Sequence, residues 1–148
     1  MTTEIKTFEA LTTTELYDLL QLRTAVFVVE QNCVYQDLDG LDQKAYHVLG
    51  KKDGVMVAYT RIFKAGDYFD AASIGRVVVQ KTQRKYGYGK DIMNASMHFI
   101  TSELKERRIT LSAQLYLQKF YEELGFQGQG ETYLEDGIPH IKMSRDLL

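Results

Sequence analysis

The sequence predicts an α/β (α+β) fold: a mixed, mostly antiparallel sheet of about six to seven strands with helices on both faces. Three observations lead there. Short apolar runs of strand character alternate with segments of helical period. Two Asp-Gly pairs, Asp53-Gly54 and Asp136-Gly137, each join strand-like runs as hairpin turns. A glycine turn, Gly87-Tyr88-Gly89, separates a strand from a helix, the kind of crossover that parallel neighbours require.

The elements follow in order. Residues 4–9 read as a first strand. Thr12 and Glu15 form a capping box, and the helix they open is expected to reach about Val29. Leu16, Leu20, Arg23, Phe27 and Glu30 share one face of it. Charged groups on an apolar stripe need a partner, a wet edge or a cleft, because burying one alone is costly. An acidic stretch, Tyr35 to Asp42, reads as a solvated loop, with attraction of a cationic substrate through Asp37 and Asp39 as the functional alternative. It is no calcium loop, since Val48 stands where the closing glutamate belongs. Residues 45–51 and 55–63 form a hairpin, and 70–79 the next strand. Met93, Met97, Ile100 and Leu104 then make the apolar stripe of the helix after the glycine turn. A short strand, 109–113, precedes a helix over 116–124 that Gly125 ends. Residues 132–135 and 140–144 close the chain as a hairpin.

Composition narrows the function. At 148 residues the chain suits one domain, residues 1–148. Eighteen basic residues against 20 acidic ones argue against nucleic acid as a partner. No apolar run is of membrane-spanning length, and the single cysteine, Cys33, fits a reducing, cytoplasmic setting. The histidines His47, His98 and His140 lack zinc-site spacing. An exposed sheet edge leaves room for a homodimer.

The glycine turn carries the chemistry. Backbone N–H groups at a strand-to-helix turn, with the positive end of the helix dipole, attract a phosphate group. A P-loop fails because Asp91 follows Gly89-Lys90, and a dinucleotide fingerprint fails at Ile92. What remains is Arg84-Lys85-Tyr86-Gly87-Tyr88-Gly89, an Arg-x-x-Gly-x-Gly pattern. Beside it stands the plain reading of two glycines in an ordinary turn.

Ile74-Gly-Arg-Val-Val-Val79 followed by Arg84 to Lys90 resembles motif A of the GNAT acetyltransferases. Leu111-Ser-Ala-Gln-Leu-Tyr-Leu-Gln-Lys-Phe-Tyr-Glu-Glu-Leu-Gly-Phe126 resembles their motif B, in the correct order. Leu22 to Gln31, His47 to Gly50 and Asp136 to His140 are similar to the ElaA branch of that family. The resemblance implies a splayed central parallel strand pair and acetyl-CoA as acetyl donor. Backbone groups of Val77, Val78 and Val79 would hold its pantetheine arm. Amides of Arg84, Lys85, Tyr86, Gly87, Tyr88, Gly89 and Lys90 would hold its pyrophosphate. Gln114 stands where many relatives have asparagine, so its own contact with the arm is open. An amine acceptor would attack the acetyl carbon directly, without an acyl-enzyme, and Tyr121 matches the tyrosine that protonates the leaving thiolate.

Alkyl amines arrive protonated at neutral pH, so a base is needed, and Glu30, His47 and His140 are the candidates. Arg23, Phe27, Glu30, Asp37 and Asp39 are the candidates for the acceptor site. The alternative is a non-catalytic acyl-CoA-binding or sensing module acting through a protein partner.

Overall fold

The computed structural model describes residues 1–147. Among the described residues seven strands form one sheet in the order β1-β2-β3-β4-β5-β7-β6. They are β1 Thr2–Thr7, β2 Tyr46–Lys52, β3 Val55–Phe63, β4 Ala72–Val79, β5 Arg108–Gln114, β6 Gln127–Glu135 and β7 Ile138–Asp146. The helices are α1 Thr13–Arg23, α2 Tyr88–Ser102 and α3 Gln118–Glu123. Every strand pairing is antiparallel except β4 with β5. Among the described residues no helix is long and apolar enough to cross a membrane.

Local chemistry explains the element boundaries. Asp53 (φ 52°) and Gly54 (φ 78°), and likewise Asp136 (φ 53°) and Gly137 (φ 76°), are both left-handed. That is the two-residue hairpin turn whose twist matches its strands. The capping box is present: Thr12 Oγ accepts from Glu15 N at 3.0 Å, and Glu15 Oε1 accepts from Thr12 N at 2.9 Å. Helix α3 closes on Gly125 with Phe126 N donating to Tyr121 O and Gly125 N to Glu122 O, the paired bonds of a Schellman cap.

Strand alternation divides the core. Val48, Ala58 and Ile74 pack with Ile92, Met93, Met97 and Ile100 of α2 and with Tyr121 and Leu124 at α3. Their neighbours Leu49 and Tyr59, with Val78, pack with Leu19, Leu22, Val26 and Phe27. Successive strand residues face opposite ways. The α1 segment therefore covers one face, and α2 with α3 the other.

Three expectations need correction. The first helix is not uniform to Val29: α1 ends at Arg23 and a π-helical segment continues over Thr24–Glu30. The buried face is Leu19, Leu22, Arg23, Val26 and Phe27, with Leu16 and Leu20 only partly covered. The final hairpin extends to residues 127–135 and 138–146, because its polar, glycine-containing outer strand pairs without an apolar alternation to announce it.

The acidic loop is not solvated. Asp37 and Asp42 are buried, and three arginines from α1, β3 and β4 converge on them. Arg23, fully buried, reaches Asp37 and Asp42, each at 2.7 Å. Arg61 reaches Asp42 at 2.9 Å and Asp39 at 2.8 Å. Arg76 reaches Asp37 at 2.8 Å and Asp39 at 3.4 Å. Three positive and three negative side chains thus cancel, and the loop is pulled onto the sheet to supply the counter-charges.

Removing one partner from such a network strands buried charge. Arg23→Ala is expected to cost about 3–5 kcal/mol in urea denaturation, and a loss below about 1 kcal/mol would contradict the network. Acid should act on the same groups. Burial pushes the Asp39 carboxyl up, but Arg61 outweighs it and brings it down to about 2. Burial likewise opposes, and the Thr12 amide with Lys6 and Lys51 overcomes, at Glu15, also about 2. Folded-state values below the unfolded ones mean stability present above about pH 4.5 and lost as pH falls toward 2. The melting temperature should fall across that window; a flat profile would show that these carboxylates are unpaired.

Candidate active site

Strands β4 and β5 pair only at Ala72–Ile109 and Ser73–Thr110. Beyond that point they part. The register between β3 and β4 shifts there too: Arg61 faces Gly75 while Tyr59 faces Val78, so Arg76 and Val77 together oppose Thr60. This is a bulge, which bends a strand and sharpens its twist. Arg76 sits in it at φ 48°, an uncommon conformation for a side-chain-bearing residue. Its guanidinium also donates to the Asp37 carbonyl at 2.9 Å, tying the bulge to the buried charge network.

The gap opens a cavity of about 510 Å³. The π-helical segment supplies Val26, Phe27 and Glu30, with Gln31 and Tyr35 following; the opposite wall is Leu117, Phe120 and Tyr121. Val77, Val78 and Val79 line it along β4, whose β5-facing edge has no strand partner there.

Gly87, Gly89 and Lys90 also line this cavity. Gly87 is the N-cap of α2 at φ 75°, with no side-chain cap. The first helical bond here is Asp91 N to Gly87 O, which leaves the N–H groups of Tyr88, Gly89 and Lys90 without helical partners. A β-carbon on Gly89 would stand 3.3 Å from Phe120 Cζ, so a larger residue would push into the cavity wall. Lys85, Tyr86 and Tyr88 do not line the cavity. Tyr86 and Tyr88 pack at 5.4 Å between ring centroids, with Lys52 Nζ 4.0 Å above the Tyr86 ring.

Arg84 spans the entrance. It forms a two-pronged ion pair with Glu30, at 2.6 and 2.8 Å, and donates from Nε to the Val79 carbonyl at 3.1 Å. That pairing holds the Glu30 carboxyl below its ordinary range and weakens it as a base. Gln114 meets Gln31 in a reciprocal amide pair, at 3.0 and 3.3 Å, across the mouth of the gap.

Tyr121 is 6% exposed, and among the described residues its hydroxyl has no hydrogen-bond partner in the protein. Burial pushes its pKa up, so it holds its proton until a strong base adjoins it. His140 lines the cavity as well, with Nδ1 at 2.6 Å from the Ile138 carbonyl.

Other candidates lie elsewhere. His47 is fully buried outside the cavity. Its Nε2 faces the Asp42 carbonyl at 2.9 Å, and its Nδ1 faces the Tyr59 hydroxyl at 2.6 Å. Burial lowers its pKa and keeps the ring neutral. Arg23, Asp37 and Asp39 belong to the charge network and do not line the cavity either, while Phe27 and Glu30 do. Sequence reasoning missed Gln31, Tyr35, Arg76, Ser112 and Glu135, all of which line it. Glu135 was within reach: the two-residue turn at Asp136-Gly137 places residue 135 opposite 138 and residue 133 opposite His140.

An unpaired strand edge beside an uncapped, glycine-led helix N-terminus, at the point where two parallel strands part, defines an acyltransferase of the GNAT type. The sequence model of the acetyltransferase (GNAT) domain matches residues 12–147. The chain belongs to that family, in its ElaA branch. Protein ElaA of Escherichia coli is 45% identical over 140 residues, 93% of this chain and 92% of that one. The crystal structure of an acyl-CoA N-acyltransferase from Pseudomonas aeruginosa matches with a TM-score of 0.90 at 41% identity, covering 98% of this chain and 99% of the other. An aminoglycoside 6'-N-acetyltransferase solved with coenzyme A shares the fold at 16% identity, with a TM-score of 0.73 over 98% of this chain and 97% of the other.

Proposed function

We propose that this acyltransferase moves an acetyl group from acetyl-CoA to a primary amine by direct attack in a ternary complex. The observation that carries the reading is one continuous cavity joining the free amides of α2, the unpaired edge of β4 and the unpartnered hydroxyl of Tyr121. The amides of Tyr88, Gly89 and Lys90, with Lys90 and Arg84 nearby, suit a pyrophosphate at a helix N-terminus. The edge of Val77 to Val79 suits an extended chain bearing amides, such as pantetheine, added as a further strand. A backbone N–H on that edge polarises the thioester carbonyl.

The roles then divide. His140 takes the proton of the incoming ammonium, since Glu30 is engaged by Arg84 and His47 is sealed in the core. The amine attacks the acetyl carbon. Tyr121, kept protonated by burial, gives its proton to the departing thiolate.

Acetyl-CoA at about 100 times its dissociation constant should stabilise the protein by about 2.7 kcal/mol, read as a rise in melting temperature that ATP and NAD do not produce. Gly89→Leu should abolish most of that rise; no rise in the unaltered protein would refute acetyl-CoA as the donor. Tyr121→Phe should lower kcat by about 10²- to 10⁴-fold with acetyl-CoA affinity nearly unchanged, and an unchanged kcat at every pH would remove its assigned role.

A further inference from the structure

The cavity is polar in its charge. At one end stand Arg84 and Lys90, each paired with a carboxylate, Glu30 and Glu123, and the uncapped positive end of α2. The other end holds Glu135, Asp136 and His140, from the hairpin of β6 and β7. The cation that reaches this end, Arg76, is spent on Asp37 and Asp39.

Glu135 is held in place from both sides. Its Oε1 accepts from Ser112 Oγ at 3.2 Å, and Ser112 Oγ lies 2.5 Å from the Tyr133 hydroxyl. Its Oε2 is 3.4 Å from His140 Nε2. The His140 ring is buried and stacked on Tyr133, with centroids 6.1 Å apart and planes at 21°. Nδ1 faces the Ile138 carbonyl at 2.6 Å, and a carbonyl oxygen only accepts, so Nδ1 carries the proton. In the neutral ring Nε2 is then a bare acceptor. It faces a carboxylate oxygen, another acceptor. In that form the two acceptors stand too close for a nitrogen to fit between them, and an ammonium set beside both supplies an N–H to each.

We propose that Glu135 docks the acceptor as an ammonium ion and delivers it to His140, and that the acceptor is an alkylamine with no anionic group beside its nitrogen. This rests on the acetyltransferase reading above. The ammonium is held by Glu135 and passes one proton to His140 Nε2. The freed lone pair forms the C–N bond to the acetyl carbon, and the C–S bond breaks. The thiolate takes the Tyr121 proton, and the second proton leaving the nitrogen restores Tyr121. His140 releases the first proton to water past the half-exposed Glu135. A carboxylate on the carbon bearing the amine would be set against Glu135 and Asp136, and among the described residues that line this end no unpaired cation stands to receive it, Lys142 lying outside the lining over the Phe69 ring.

Pentylammonium, offered with CoA in place of acetyl-CoA, has no acyl group to take and probes docking without chemistry. Titrated by NMR into the protein with and without CoA, it should bind the unaltered protein and the exposed-surface control Glu131→Gln alike. Glu135→Gln should weaken it about tenfold or more, as loss of a charge-assisted contact does. In turnover, Glu135→Gln should raise the KM for pentylamine by a similar factor with the KM for acetyl-CoA unchanged. Norleucine, which is pentylamine with a carboxylate on the carbon bearing nitrogen, should be the far poorer acceptor, and Glu135→Gln should narrow the difference. His140→Gln should depress kcat most near neutral pH and recover as pH approaches the pKa of the amine, about 10. Equal binding of pentylammonium by the unaltered protein and Glu135→Gln, or no binding at all, would overturn the proposal. Failure of acetyl-CoA to raise the melting temperature would instead sink the acetyltransferase reading, so the two failures are separable.

Discussion

The bulge at Arg76 sets the rest of the molecule. A parallel pair that stayed in register from Ala72 onward would close the sheet and leave no cavity. Two residues of β4 opposing one of β3 turn the strand away from β5 after two pairs. The left-handed backbone at Arg76 has an energetic cost, and such a cost persists only where the surroundings over-determine the conformation. Here Asp37 does so, its carboxylate ion-paired with the guanidinium and its carbonyl accepting a hydrogen bond from it.

That dependence explains why charge is buried on the α1 side of the sheet. Arg23, Arg61 and Arg76 arrive from three different elements, and the loop carrying Asp37, Asp39 and Asp42 is the common counter-ion. A network of this kind does little for net stability, since desolvation consumes most of the Coulomb gain. What it supplies is geometry. It joins α1, β3 and the bulge, and it seats Tyr35, whose hydroxyl donates to Asp37 at 3.0 Å, against the cavity. His47 and Tyr59 extend the same network into the core with neutral hydrogen bonds. The π-helical segment completes the arrangement. It carries Val26 and Phe27 packed on the sheet and Glu30 paired with Arg84.

What the sequence made legible was what short-range chemistry determines. The capping box at Thr12, both Asp-Gly hairpins and the glycine-led start of α2 depend on residues within a few positions of one another, and each stands where it was read. One end of the cavity was legible for that reason and through motif resemblance: Val77 to Val79, Gly87, Gly89 and Lys90 all line it. The end at the final hairpin was not. Arg76 and Asp39 are 37 residues apart, and Gln31 and Gln114 are 83 apart. Nothing in local spacing tells Asp37 to seek a buried arginine rather than water. For the same reason Arg23, placed on the stripe by periodicity, and His47, a candidate base, proved to be interior groups, and Glu135 passed as the end of an ordinary strand.

The central claim is that the parted strands and the start of α2 form one binding surface. Backbone amide NMR during an acetyl-CoA titration tests it most directly. The account predicts that the amides of Val77, Val79, Tyr88, Gly89 and Lys90 shift together, with one shared dissociation constant. Shifts confined to the α2 turn while the β4 edge stays silent, or shifts centred elsewhere on the sheet, would contradict it.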